Sequence, residues 1–85
     1  MTYALPPDVT ATRTEGGMVL LQETTGRYWM LNGTGAAVVQ LLTEGRTVPA
    51  VSAELSARFG QDPARVAADV RALLKQLSDA RLVTP

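Results

Sequence analysis

The sequence predicts an α+β fold, a three-stranded antiparallel sheet followed by three helices, in the order of a winged helix-turn-helix. Three short strand-like runs separated by turn residues occupy the first third of the chain. Apolar residues spaced by three and four, between capping residues, occupy the rest. Because the helices follow the strands instead of alternating with them, we expect them to cover one face of the sheet. The length of 85 residues fits a single domain, residues 1–85.

The three strands are predicted from short runs between glycine-containing turns. The first run, Asp8–Thr14, alternates loosely between polar and apolar residues, as a half-buried edge strand does. The second, Met18–Glu23, is mainly apolar, and the third, Arg27–Leu31, contains two aromatic residues. The turns Glu15-Gly16-Gly17 and Thr24-Thr25-Gly26 are too short to join parallel strands, so an antiparallel meander is predicted.

Helix boundaries are predicted from capping residues. Thr34 is the predicted N-cap of the first helix, which Gly45 ends. Thr47 is expected to cap the second helix, and Gly60 to end it. Asp62, followed by proline, starts the third helix over residues 62–80, because proline at the first helical position loses no hydrogen bond. Its apolar stripe comprises Val66, Val70, Leu73, Leu74 and Leu77.

Composition argues against several classes of function. The chain has no histidine and no cysteine, which removes the commonest general base, the commonest metal ligand and any disulfide. A Ser–Lys dyad would have to use Lys75, the single lysine, in the middle of the third helix. We therefore expect no enzyme activity, no metal and no cofactor. No signal peptide and no run of about 20 apolar residues is present, so the sequence indicates a cytoplasmic protein without a membrane partner.

A winged-helix DNA-binding regulator is the alternative from a different class. Eight basic and eight acidic residues give no net charge, whereas phosphate binding requires a basic excess. Positive and negative residues alternate on the third helix: Arg65, Arg71 and Lys75 against Asp62, Asp69 and Asp79. A recognition helix normally carries clustered positive charge, so we expect no nucleic-acid partner.

The third strand is apolar on both faces. Tyr28 and Met30 have one parity, and Arg27, Trp29 and Leu31 have the other. Helices on one side of the sheet can cover only one of these sets. Either the helices wrap the sheet edge or the domain dimerises there, or an extended peptide adds as a fourth strand and binds through its backbone.

The sequence resembles the PqqD-like family in two blocks. The first is GRYWMLNGTG, preceded by VLLQETT and followed by AAVVQLL; the second runs from TVPAVSAEL to DPARVAADVRALLKQL. The resemblance extends from about Pro7 to Val83. Its most specific part is an aromatic–x–x–Leu–Asn–x–Thr–Gly pattern, at Tyr28, Leu31, Asn32, Thr34 and Gly35.

Members of this family are RiPP recognition elements, which bind the leader of a ribosomally made precursor peptide and present it to modifying enzymes. The resemblance implies a winged helix-turn-helix in which the leader docks antiparallel on the third strand, in a groove beside the third helix. The strand side would comprise Arg27, Tyr28, Trp29, Met30 and Leu31. The helix side would comprise Val66, Asp69, Val70, Leu73, Leu74 and Leu77. Core packing explains Val66 and Leu74 equally well.

Within the family, the sequence resembles most the free-standing members from lasso-peptide gene clusters. The partners would then be a precursor leader peptide, a cysteine-protease-like leader protease and a lasso cyclase. A role in PQQ biosynthesis, or in another RiPP pathway, is the alternative within the family.

Overall fold

The computed structural model describes residues 3–84 and has the predicted α+β architecture. The three strands form one antiparallel sheet in the order β1-β2-β3, and the helices follow it in the chain. The prediction of a three-stranded sheet followed by three helices is confirmed, with boundaries within one residue for the strands and the third helix. The elements are β1 (Val9–Thr14), β2 (Gly17–Gln22), β3 (Arg27–Asn32), α1 (Gly33–Thr43), α2 (Val48–Phe59) and α3 (Pro63–Asp79).

Two tight connections hold the sheet in register. The two-residue turn Glu15-Gly16 joins β1 to β2, where Thr14 faces Gly17. Residues 23–26 join β2 to β3, and Gly26 there has a φ of 72°, which favours glycine. Gly17 also allows β3 to approach, since a Cβ at this position would overlap the Leu31 carbonyl oxygen.

The first helix begins earlier than the sequence indicated. The prediction that Thr34 is the N-cap is wrong: Asn32 occupies the cap, and its Oδ1 accepts a hydrogen bond from the Gly35 N–H at 2.9 Å. Asn32 is also the last residue of β3, so one residue ends the strand and starts α1. The chain therefore passes from strand to helix without a loop, which fixes the direction of α1 relative to β3.

The caps of the other two helices agree with the sequence. Thr47 Oγ1 accepts the Ala50 N–H at 3.3 Å, and Gly60 ends α2 in the left-handed conformation with a φ of 63°. Asp62 Oδ1 accepts the Ala64 N–H at 3.1 Å at the start of α3.

The core lies between the inner face of the sheet and the three helices. Leu20 from β2, Leu55 from α2 and Leu77 from α3 are at most 1% exposed. The C-terminal segment folds back onto the body of the domain: Leu82 and Val83 are buried, and an antiparallel bridge joins Ala4 to Thr84. Over residues 3–84, no helix is long and apolar enough to cross a membrane.

Candidate functional site

Within residues 3–84, the outer edge of β3 carries backbone groups without partners. Thr14 and Gly17 flank a two-residue hairpin turn and form a hydrogen-bonded pair. Every second residue of β2, starting from Gly17, therefore directs its backbone N–H and C=O groups to β1. The Glu23 N–H, which donates to the Asp8 carbonyl oxygen at 2.8 Å, continues this alternation. The remaining residues of β2 bond toward β3. In β3, the N–H and C=O groups of Tyr28 and Met30 and the N–H of Asn32 therefore point away from β2, toward the free edge, whereas the Asn32 carbonyl belongs to the start of α1.

A groove of about 600 Å³ lies between this edge and α3. It exists because β3 rests on α1, whereas α3 packs mainly against α2. The size is in the range of ordinary binding clefts, roughly 300–1,000 Å³. The groove is lined by Trp29, Met30, Leu31, Asn32, Thr34, Gly35, Val38, Leu55, Phe59, Gln61, Arg65, Val66, Asp69, Val70, Leu73 and Gln76.

The groove combines an apolar floor with few charges. Its most buried lining residues are aliphatic: Val38, Leu55, Val66 and Val70. Phe59, at the end of α2, is 47% exposed and contributes an aromatic ring to the lining. Among the described residues that line the groove, two are charged, Arg65 and Asp69, one turn apart on α3. Such a surface suits an extended apolar segment, whose side chains gain by leaving water.

The structure brings together seven of the residues that the resemblance implied. They line the groove as two facing sets, Trp29, Met30 and Leu31 on the strand and Val66, Asp69, Val70 and Leu73 on the helix. Arg27 instead lines a second cavity at the start of β3. Tyr28 is 65% exposed, and its side chain has the opposite parity to Trp29 and Leu31. Leu74 and Leu77 are in the core, at 4% and 0% exposure, and do not line the groove.

Several lining residues were missed by the sequence analysis. Arg65 and Gln76 share a helix face with Asp69 and Leu73, at spacings of three and four, so extending that face along α3 would have found both. Val38, Leu55 and Phe59 carry no comparable signal. They belong to helices that the resemblance did not place at the groove, and only the packing of α1 and α2 brings them there.

The outer face of the sheet is the second unusual surface. The side chains that alternate away from the helices are uncharged in all three strands. Tyr28 pairs with Leu21 and Met30 with Val19, which gives an apolar patch on which Met30 is 76% exposed. The expected exposed apolar surface is therefore present on the outer face of the sheet, and Met30, at its edge, also lines the groove. We call Val19, Leu21, Tyr28 and Met30 the outer patch.

Comparison with protein families gives one match that covers most of the chain. Residues 17–83 match the family model described as coenzyme PQQ synthesis protein D (PqqD). The chain belongs to the PqqD family. The matched region begins at β2 and ends at Val83, so it includes the free edge of β3 and all of α3. A comparison with curated proteins finds no match.

Solved structures of similar proteins have the same fold over almost the entire chain. A lasso peptide synthetase B1, solved with its leader peptide, is 30% identical, with a TM-score of 0.93 and complete coverage of both chains. TbiB1 in complex with the TbiA(beta) leader peptide is 26% identical, with a TM-score of 0.87 and coverage of 94% of this chain and 93% of that one. The PqqD part of Methylobacterium extorquens PqqCD, a stand-alone RiPP recognition element, is 27% identical, with a TM-score of 0.81 and coverage of 98% and 88%.

Proposed function

We propose that this chain is a non-catalytic RiPP recognition element that binds the leader of a lasso-peptide precursor. Residues 1–85 would act as a single leader-binding domain in the cytoplasm, where precursor peptides are made. The observation that carries this proposal is the free edge of β3 beside an apolar groove. The same fold, at a TM-score of 0.93, has been solved in a lasso peptide synthetase B1 with a leader peptide.

The leader would add to the sheet as a fourth strand, antiparallel to β3. Backbone groups of Tyr28, Met30 and Asn32 would pair with it, which gives affinity without requiring a particular leader sequence. Alternate side chains of the leader would point into the groove and select apolar residues. The proposed contact residues are Arg27, Tyr28, Trp29, Met30, Leu31, Val66, Asp69, Val70 and Leu73. Leu74 and Leu77 would support the groove wall from the core.

The outer patch would bind the leader protease, a separate cysteine-protease-like subunit. Removing water from an uncharged apolar surface costs little free energy, so the outer patch suits a protein partner with an apolar surface. A leader strand beside β3 would border this patch, because its remaining side chains alternate to the outer face. The protease would then contact the domain and the bound leader together, and a lasso cyclase would act after it.

Participation in PQQ biosynthesis is the second candidate. The family model carries that description, and the M. extorquens PqqD part matches with a TM-score of 0.81. Both candidates share leader binding at β3 and differ in the leader and in the enzymes that receive it. Titration with leaders from both pathways distinguishes them.

Fluorescence titration tests the proposal, because Trp29 is the single tryptophan and lines the groove. The TbiA(beta) leader peptide is the first probe, with a scrambled version of it as the control. We expect saturable binding with a Kd of about 10 μM or below for the leader, and at least tenfold weaker binding of the scrambled peptide. Duplex DNA should bind no tighter than roughly tens of micromolar, and only at low salt. Sequence-specific nanomolar binding to DNA would overturn the proposal.

A further inference from the structure

A second cavity continues the groove beyond the start of β3. Its volume is about 730 Å³, and it lies between the β2–β3 connection and the C-terminal end of α3. The groove includes β3 from Trp29 onward and α3 as far as Gln76, and the second cavity includes Arg27 of β3 and α3 from Ser78. The two cavities therefore follow one another along the same pair of elements.

The second cavity differs from the groove in its charges. Two arginines, Arg27 and Arg81, and two aspartates, Asp8 and Asp79, contribute to its lining. Both carboxylates already have partners within the protein. Asp8 Oδ2 accepts the Thr24 hydroxyl at 2.8 Å, and Asp79 Oδ2 accepts Lys75 Nζ at 3.1 Å.

The two guanidinium groups have no such partners. Among residues 3–84, neither the Arg27 nor the Arg81 side chain makes a hydrogen bond or an ion pair, whereas Arg46 and Arg58 are both paired with Glu54. The cavity lining thus offers two cations that remain available to a ligand. Carboxylate groups match the planar fork of a guanidinium and can accept two hydrogen bonds from it.

The backbone at Arg81 adds an independent observation. Its φ is 60°, and it is the only non-glycine residue among residues 3–84 with a positive φ. The left-handed conformation is strained for an arginine and easy for a glycine. Arg81 follows the C-cap of α3 and closes the helix end, where glycine is the usual residue, so the fold holds an arginine at a position where the backbone alone favours glycine.

We propose that this cavity is a subsite for acidic side chains of the bound peptide, recognised by Arg27 and Arg81. The inference rests on the proposed function, since a peptide antiparallel to β3 enters beside Asn32 and leaves beside Arg27. Aspartate or glutamate residues immediately after the paired strand would then reach the second cavity. The apolar part of the peptide occupies the groove, and the acidic part that follows it occupies the subsite.

Peptide selection on the intact protein tests this without knowledge of the natural leader. The probe is a displayed library of random 20-residue peptides, selected on the wild-type protein and on the R27Q/R81Q double variant. Wild-type protein should enrich peptides in which acidic residues follow an apolar segment. The double variant should enrich the same apolar segment with at least a fivefold lower frequency of acidic residues after it. R71Q is the matched control, because Arg71 is an exposed arginine of α3 outside both cavities, and its selected peptides should equal those of the wild type.

The outcomes separate the subsite from the proposed function. Enrichment of an apolar segment without acidic residues overturns the subsite and leaves leader binding intact, whereas failure to enrich any peptide overturns both. R27E/R81E should reverse the preference to lysine or arginine at the same position, and an unchanged preference would contradict the subsite. R81G should melt no earlier than the wild type, because glycine relieves the strained φ, yet it should reduce the acidic enrichment. If R81G instead kept the enrichment, Arg81 would have no part in recognition.

Discussion

The two edge strands of the sheet, β1 and β3, have the same backbone geometry and different surroundings. Both have an unpaired outer edge among residues 3–84, since the strand order is β1-β2-β3. In β1, the five residues after Val9 are exposed and mainly polar. In β3, Trp29 and Leu31 are half-buried and the groove runs alongside. Neither cavity includes any residue of β1.

This difference indicates what converts a sheet edge into a binding site. Unpaired N–H and C=O groups attract other chains at any edge, and proteins commonly protect such edges with charge. β1 carries Arg13 near its end, and the Arg13 guanidinium donates a hydrogen bond to the Gln40 side chain of α1. The one charge of β3 is Arg27, at its first residue. The edge of β3 is open, and α3 provides a wall against which added side chains can pack.

Removing a single edge N–H should have the largest effect. M30P deletes an N–H that points to the free edge, and it should weaken leader affinity at least 100-fold, or by about 3 kcal/mol. The reason is that a bound leader makes β3 a central strand, in which proline cannot pair. A11P deletes the equivalent N–H from the edge of β1 and should leave binding within threefold. Titration by Trp29 fluorescence measures both variants, and circular dichroism confirms that each is folded. Equal losses in both variants would contradict the distinction between the edges.

Truncation of two leucines on α3 should separate the groove from the core. L77A removes a side chain that is 0% exposed and should lower the free energy of unfolding by about 2–5 kcal/mol. L73A acts on a half-buried residue of the groove wall and should weaken leader binding by about 1–3 kcal/mol. Chemical denaturation and titration are both needed for each variant. If L73A lost as much stability as L77A and bound the leader normally while folded, Leu73 would belong to the core alone.

Loss of the Asn32 cap should have an intermediate effect. N32A removes the acceptor for the Gly35 N–H and should lower the free energy of unfolding by about 1 kcal/mol, within the range of roughly 0.5–2 kcal/mol for such caps. T34A is the matched control and should be within about 0.5 kcal/mol of the wild type, as exposed surface changes usually are. The reverse order of the two variants in thermal or chemical denaturation would restore Thr34 as the cap.

Side-chain truncation on the outer patch should have the smallest effect on the leader. Y28A and L21A keep every backbone N–H and remove outer-face side chains that do not line the groove, so leader affinity should change by less than threefold, about 0.6 kcal/mol. The same variants should slow leader cleavage, measured with a purified cysteine-protease-like leader protease. Loss of leader affinity in Y28A, with unchanged cleavage of the bound fraction, would show that the Tyr28 side chain contacts the leader and not the protease.

The sequence predicted the order of elements and most caps because those depend on local residues. Thr47 and Asp62 accept hydrogen bonds from N–H groups only three and two residues later in the chain. The sequence left open which parity of β3 faces the helices, because both parities are apolar. It also grouped Leu73 with Leu74 and Leu77, since periodicity gives the apolar side of a helix without showing where a neighbour covers it. The second cavity brings together Asp8, Arg27 and Arg81, which are far apart in the chain, and no local pattern indicates it.

Hydrogen exchange of the free and leader-bound protein tests most directly whether β3 is the edge that accepts the leader. Residue-resolved NMR should find that saturating leader slows exchange at Tyr28, Met30 and Asn32 at least tenfold, because those amides gain partners. Trp29 and Leu31, already paired with β2, should change less, and Ala11 and Arg13 on the edge of β1 should not change. Slower exchange on β1, or no slowing anywhere in the sheet, would contradict strand addition at β3.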